Sequence, residues 1–186
     1  MVIIVYSVMN TNLKLEVLRA DQLGPNLQSE ILVLCNKAFE EDLTPIFSTF
    51  KNAVHVLGYQ GGSIVSHALW VTRWLQVGTE PVLRTAYIEA VATEKEYRNL
   101  GYATAVMQRI AEEIQDFELG ALSPSRASYY ERLGWELWRG PLFIRTSNGL
   151  IRSPSEEVVM ILRLPRTPDL DIYSPLSAEW REGELW

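Results

Sequence analysis

Apolar and polar residues alternate from Leu13 to Ala20, the period-two pattern of a half-buried strand. From Leu27 to Glu40 the period lengthens. Leu27, Ile31, Leu34, Cys35 and Ala38 recur at helical spacing, and Thr44-Pro45 then opens a loop or a turn of helix. Ala53 to Tyr59 and a longer run to about Val77 read as two strands joined by Gln60-Gly61-Gly62, a hairpin signal. Gly78 to Pro81 makes the next turn. Val82 to Thr93 reads as another strand, apolar or small throughout apart from Arg84 and Glu89. Gly101 to Asp116 predicts an amphipathic helix with Ala103, Val106, Ile110 and Ile114 on one face. Phe117 to Leu122 is a short buried strand. Ser123-Pro124 predicts an N-cap followed by proline at the first helical position, in a helix ending near Gly134. Late strands are expected at Trp135–Trp138 and Val158–Leu164, and a loop-like, acidic tail from Pro165 to Trp186. This order predicts an α+β fold, an α/β mixed sheet with helices on both faces, built as one domain over residues 1–186.

Composition narrows the function classes. Of 186 residues, 47% are hydrophobic and 22% charged, an ordinary globular balance. A net charge of −6 argues against a nucleic-acid partner, which needs a concentrated positive patch, and suits a cationic ligand if carboxylates converge. One cysteine, Cys35, excludes an intramolecular disulfide, and with only His55 and His67 as histidines no metal site is expected. These counts fit a reducing cytoplasm. No run reaches the ~18 apolar residues of a membrane span. Met1 to Met9 is apolar without a basic leader, so residues 1–12 read as a tail or swapped strand, not a secretory signal.

One segment carries candidate chemistry. The strand Tyr87-Ile88-Glu89-Ala90-Val91-Ala92-Thr93 feeds a short loop, Arg98-Asn99-Leu100-Gly101-Tyr102-Ala103, that opens the long helix. Backbone N–H groups at a helix start lack intrahelical partners and sit at the positive end of the dipole, where a diphosphate would satisfy them. Gly101 and Ala103 keep the backbone approachable, and Arg98 adds charge. Glu89 interrupts an apolar strand, where an unpaired carboxylate is costly, so it is either a base or one half of a pair with Arg84 or a tyrosine. Cys35, within the first helix, reads as core.

Arg98 to Ala103 resembles the acyl-CoA pyrophosphate loop of the GNAT N-acetyltransferase superfamily, and Tyr130 to Trp135 resembles its later Leu-Gly-aromatic signature. Further blocks are similar to the aminoglycoside 2'-N-acetyltransferases: Phe39–Asp42, Tyr87–Ala90, Leu119–Ser123, Gly134–Pro141, Ile151–Glu157 and Trp180–Trp186. The resemblance implies a mostly antiparallel sheet splayed at the cofactor strand. It implies acetyl-CoA as co-substrate, with Val91, Ala92 and Thr93 pairing with the pantetheine arm and Arg98, Asn99, Leu100, Gly101, Tyr102 and Ala103 around the pyrophosphate. It implies Glu89 as base, Tyr130 as proton donor, and sequential transfer to a cationic antibiotic held by Asp42, Glu89, Ala90, Ser123, Ser155, Glu156, Glu184 and Trp186. It also implies a tail, 165–186, folded toward the substrate site, and a homodimer. The chain departs from the pattern at Phe47, where relatives often carry a second acid, and at Glu156 and Glu184, where they carry Asp. One carboxylate fewer leaves room for a less cationic drug such as kasugamycin. Two other readings stay open: a GNAT enzyme for another small amine, and a non-catalytic acyl-CoA-binding module.

Overall fold

Gly61 and Gly62, both left-handed (φ 59° and 87°), turn β2 (Val54–Gln60) back into β3 (Ser63–Val77), and β3 is the spine of the molecule. The computed structural model describes residues 13–186; the segment read as an N-terminal tail or swapped strand lies outside them. β3 is long enough to serve two neighbours on one edge. Its first half pairs with β2, which β1 (Lys14–Arg19) flanks, and its end pairs with β10 (Leu176–Glu179). Its other edge takes β4 (Leu83–Thr93) antiparallel. Beyond β4 come β5 (Leu119–Leu122), parallel to it, then β9 (Met160–Arg163) and β6 (Glu136–Leu137). On the far side, β10 runs parallel to β7 (Leu142–Thr146), which turns into β8 (Gly149–Arg152). The sheet is mixed, with helices on both faces.

Only Trp138 to Pro141 separate β6 from β7, yet these strands stand far apart in the strand order. The sheet must therefore curl until its two flanks meet. The N–H groups of Arg139 and Gly140 both donate to Ile172 O at 2.9 Å, and the Trp138 indole donates to Ser174 O at 3.0 Å. Inside the curl, Leu75, Tyr87, Leu119, Ile144, Ile161 and Trp186 form one core. On the same face, α1 (Pro25–Phe39) buries Ile31, Leu34 and Cys35 against Leu57 and Ala92. α2 (Thr44–Phe47) is a single turn behind it. The opposite face is covered by α3 (Tyr102–Glu113), whose Val106, Met107 and Ile110 pack on Val56, Ala86 and Ile88. Each such buried side chain stabilises the fold by about 1.5–3 kcal/mol.

Several expectations need correction. The tail from Pro165 is not all loop, because β10 takes a central place in the sheet. Its four residues, Leu-Ser-Ala-Glu, are too few to display a period. β7 and β8 were also not foreseen, since β8 is exposed along its whole length. Ser123-Pro124 does not cap a helix: α4 is Ala127–Glu131 with Arg126 at the N-cap. The strand expected at Trp135–Trp138 shrinks to Glu136–Leu137.

Gly140 is where the curl closes. A Cβ built there would lie 1.9 Å from Ser174 O and 2.6 Å from its carbonyl carbon, both backbone atoms. Gly140→Ala should therefore destabilise the protein by about 1–3 kcal/mol or more through forced overpacking. Chemical denaturation would measure this; an unchanged unfolding midpoint would contradict so tight a closure at this residue.

Candidate active site

The site begins where β4 and β5 part. Their pairing covers Thr85–Tyr87 of β4 only, so from Ile88 to Thr93 that edge of β4 has no partner strand among the described residues. On its other edge β4 carries one residue too many. Between the His67–Ala92 and Leu69–Glu89 pairs, Ala68 alone faces Ala90 and Val91. This is a β-bulge, and Ala90 takes a left-handed φ of 50° to make it. The bulge bends the strand and re-aims its last residues, leaving backbone groups around Val91 to Thr93 open to an added extended chain.

Immediately downstream the chain makes a short 3-10 turn, Lys95–Tyr97, and enters α3. Gly101 is its N-cap at φ 84°, with no side chain capping it. Among the described residues, none of the backbone N–H groups from Asn99 to Thr104 finds an acceptor. Asn99 is also left-handed, at φ 63°. The result is a set of unpaired amides at the positive end of a helix, the arrangement that binds a diphosphate. The Arg98 guanidinium bridges Thr93 O and Ala38 O, each at 3.3 Å, and so ties the loop to the end of β4 and to α1.

Glu89 points into the curl, on the same face as Tyr87. Its Oε1 accepts from Arg181 Nη2 at 2.5 Å in a pair with side chains only 17% and 11% exposed. Burial pushes the Glu89 carboxyl above its ordinary range, the Arg181 and Arg73 guanidinium groups pull it back, and Glu184 adds to the rise. Arg73 and Arg181 lie over the Tyr87 ring, 4.9 and 5.5 Å from its centroid. The Tyr87 hydroxyl is buried without a partner among the described residues, and burial, with Glu89 and Glu157 nearby, raises its pKa. The alternative pairing of Glu89 with Arg84 does not occur: Arg84 joins Asp116 at 3.1 Å and lies over Phe117.

Arg73 fixes the C-terminal segment beside this carboxylate. It is 1% exposed, and its guanidinium donates to Leu185 O at 2.7 Å and Glu179 O at 2.9 Å. The Trp186 indole, 4% exposed, donates to Ser153 Oγ at 2.7 Å, and Gly183 packs on Thr49. Glu89, Ala90, Glu184 and Trp186 are thus brought to one region. Ser155 and Glu156 occupy the exposed loop just past Ser153, hydrogen-bonded to each other at 3.3 Å. Asp42 is exposed and already employed: it accepts from Thr44 N at 3.0 Å and Thr44 Oγ1 at 2.6 Å, which holds its pKa low. Ser123 is exposed just past the end of β5, two residues beyond the Tyr87–Ala121 pair of the parallel ladder and so on the β4 side where Glu89 lies. Tyr130 sits on the α3 side in edge contact with Tyr129 and Trp135, and burial pushes its hydroxyl up to about 12. The neighbouring Tyr129 hydroxyl faces Thr104 Oγ1 at 3.4 Å. Cys35 is fully buried with its thiol pushed up to about 12, which makes it core and a poor nucleophile.

Arg73 and Arg181 were not singled out from sequence. Arg73 had a usable signal. Leu69, Val71, Arg73, Leu75 and Val77 share one face of β3, so a lone cation lay on an inward stripe. Arg181 had none, because its partner is 92 residues away.

A sheet splayed at a bulged strand beside an open helix start is the architecture of acyl-CoA-dependent N-acyltransferases. The sequence profile of the acetyltransferase (GNAT) domain matches residues 26–138, and the chain belongs to that family. It is similar to an aminoglycoside 2'-N-acetyltransferase from Mycolicibacterium fortuitum, 32% identical over 158 residues that cover 81% of this chain and 80% of the relative. Among solved structures, a GNAT family N-acetyltransferase from Escherichia coli in complex with CoA superposes with a TM-score of 0.62 at 15% identity, covering 93% of each chain. Eis1 from Mycobacterium abscessus matches with a TM-score of 0.56 at 15% identity over 69% of this chain, which spans about a third (32%) of that larger protein.

Gly101→Ala tests the open helix start. An L side chain at this left-handed position costs about 1–2 kcal/mol, and relaxing the strain turns the amides away. Calorimetric titration should show coenzyme A binding weakened about tenfold. Full affinity in a folded variant would remove this turn from the coenzyme site.

Proposed function

We propose that this protein is an aminoglycoside 2'-N-acetyltransferase that moves the acetyl group of acetyl-CoA onto the 2'-amino group of a cationic antibiotic and so confers resistance. The observation that carries the reading is the Glu89 carboxylate, buried beside the splay, paired with Arg181 and close enough to Glu184 to feel its charge. The similarity to a curated enzyme of this activity supports it.

An aminoglycoside amine is protonated near neutral pH and attacks only as the free base. In this reading Glu89 removes the proton, directly or through a water. The amine nitrogen then bonds to the thioester carbonyl carbon, the C–S bond breaks, and the sulfur leaves with its electron pair and takes up, directly or through a water, the proton that the nitrogen sheds as it becomes an amide. Tyr130, with its proton held at a pKa of about 12, stabilises that sulfur chiefly by donating a hydrogen bond. The amides from Asn99 to Ala103 and the edge of β4 from Val91 to Thr93 hold the coenzyme. Asp42, Ala90, Ser123, Ser155, Glu156, Glu184 and Trp186 frame the acceptor, the carboxylates through charge-assisted hydrogen bonds. Phe47, packed on Phe50 and His67, presents an aromatic surface in place of an acid and favours a less cationic drug such as kasugamycin. The protein acts in the cytoplasm as a homodimer, for which the exposed Leu150 and Ile151 of β8 offer an apolar edge.

Glu89→Gln should lower kcat by about 10²–10⁴-fold while leaving coenzyme A affinity within twofold. Undiminished turnover would exclude Glu89 as base, and loss of coenzyme binding would mean the variant disturbs the splay. Purified protein offered acetyl-CoA with kasugamycin or gentamicin, with product detection by mass, should acetylate kasugamycin; turnover of gentamicin alone would reject that preference.

Arg181→Gln should move the acid limb of the kcat/KM profile to higher pH. Arg181 favours the ionised form of Glu89, so without it a larger fraction of Glu89 is protonated at any given pH. An acid limb that stays in place would detach Arg181 from the base.

A further inference from the structure

Between α1, the turn α2 and the start of β2 lies a cavity of about 470 Å³, within the range of small-molecule sites. Leu23, Ile31, Leu32, Phe47 and Phe50 line it together with His55. Its remaining polar lining is hydroxyl and amide, and no Asp, Glu, Lys or Arg contributes.

The protonation of His55 is set by its partners. His67 Nδ1 lies 3.0 Å from Ala90 O and 3.4 Å from Cys35 Sγ; the shorter contact is to a carbonyl, which only accepts, so His67 Nδ1 carries a hydrogen and the Cys35 sulfur is at most a second, weak acceptor. His67 is fully buried and, as burial drives its pKa down to about 3, neutral; its Nε2 is therefore a lone pair. That lone pair lies 3.0 Å from His55 Nδ1, which must donate to it. His55 is neutral as well, its pKa pushed down to about 4 by burial. Its own Nε2 is then an acceptor, on the ring edge turned away from His67. The residue is 5% exposed, and Nε2 accepts from no donor among the described residues. The geometry thus favours one tautomer along the chain and delivers an imidazole acceptor to an uncharged cavity.

We propose that this cavity is a second binding site, for an uncharged, mostly apolar small molecule whose single O–H or N–H group donates to His55 Nε2. No carboxylate lines the cavity, unlike the surroundings of Glu89, where Glu184 lies, and no cation lines it, unlike a coenzyme phosphate site; Phe47 is the wall it shares with the proposed acceptor site. A cationic ligand would lose its hydration there and gain no counter-charge. The relay ends on the carbonyl of Ala90, the bulge residue next to Glu89, so a donor at His55 strengthens the polarisation of each bond down to the bulge.

The test needs neither coenzyme nor acceptor, so its result does not depend on the acetyltransferase reading. The full chain is labelled with ¹⁵N-histidine and titrated at pH 7 with indole, a neutral aromatic with one N–H. The His55 Nε2 resonance should move saturably and that of His67 should move with it. 1-Methylindole, which keeps the ring and loses the donor, should bind about fivefold more weakly. Ser29→Trp, or Ser48→Trp from the other wall, should abolish the shift while preserving the two histidine signals. No saturable movement up to the solubility of indole, equal affinity for the two indoles, or an equal shift with spermidine would each overturn the proposal.

Discussion

The constraint on which the rest depends is the single extra residue that β4 carries opposite Ala68. Without it, β4 would run on beside β3 with unbroken alternation, and Glu89 and Ala92 would lie on opposite faces. With it, both face the α1 side, so the two cores of that face meet at the bulge. The extra residue costs a left-handed alanine at Ala90 and leaves its carbonyl without a ladder partner, and His67 takes that carbonyl. The bulge also coincides with the loss of β5, so one short stretch holds a bent strand, an open edge and a carboxylate.

The second organising feature is electrostatic. Three side chains that rarely occur buried, Arg73, Glu89 and Arg181, share a region with the hydroxyl of Tyr87. A buried charge is tolerable only when it is paired and its hydrogen-bonding groups are occupied. Arg73 meets that condition with the C-terminal segment: its guanidinium pairs with the Glu179 carboxylate at 3.4 Å and donates to the carbonyls Glu179 O and Leu185 O. The C-terminal segment is therefore bound in by the solvation needs of a β3 residue as much as by burial of Trp186. The same segment returns Arg181 to Glu89. The proposed base thus rests against a cation supplied by its own chain, and a cationic acceptor has to compete with that cation for the carboxylate.

A third region, the His55–His67 relay, reaches the bulge from the α1 side. Both sides of the bulge are thereby in use: its open edge faces the proposed coenzyme path, and its displaced carbonyl accepts from His67, behind which His55 lies. The acetyltransferase family membership accounts for the first and is silent on the second.

Much of this was legible in the amino-acid order, because much of it is local. Period-two alternation located β1, apolar runs bounded by glycine turns located β2 to β4, and period-3.6 patterns located α1 and α3. The glycine at 101 marked the open helix start, and the lone acid in an apolar strand marked Glu89. These signals are written within a few residues, where backbone geometry and side-chain spacing act directly. What the tertiary structure decided is non-local. β10 is four residues long and takes its place only because the curled sheet leaves a gap between β3 and β7. Arg181 meets Glu89, Arg73 meets Leu185 and His55 meets His67 because closing the curl and pairing β2 with β3 bring them into register. No pattern along the chain encodes such meetings, since hydrogen bonds and ion pairs depend on distance in space.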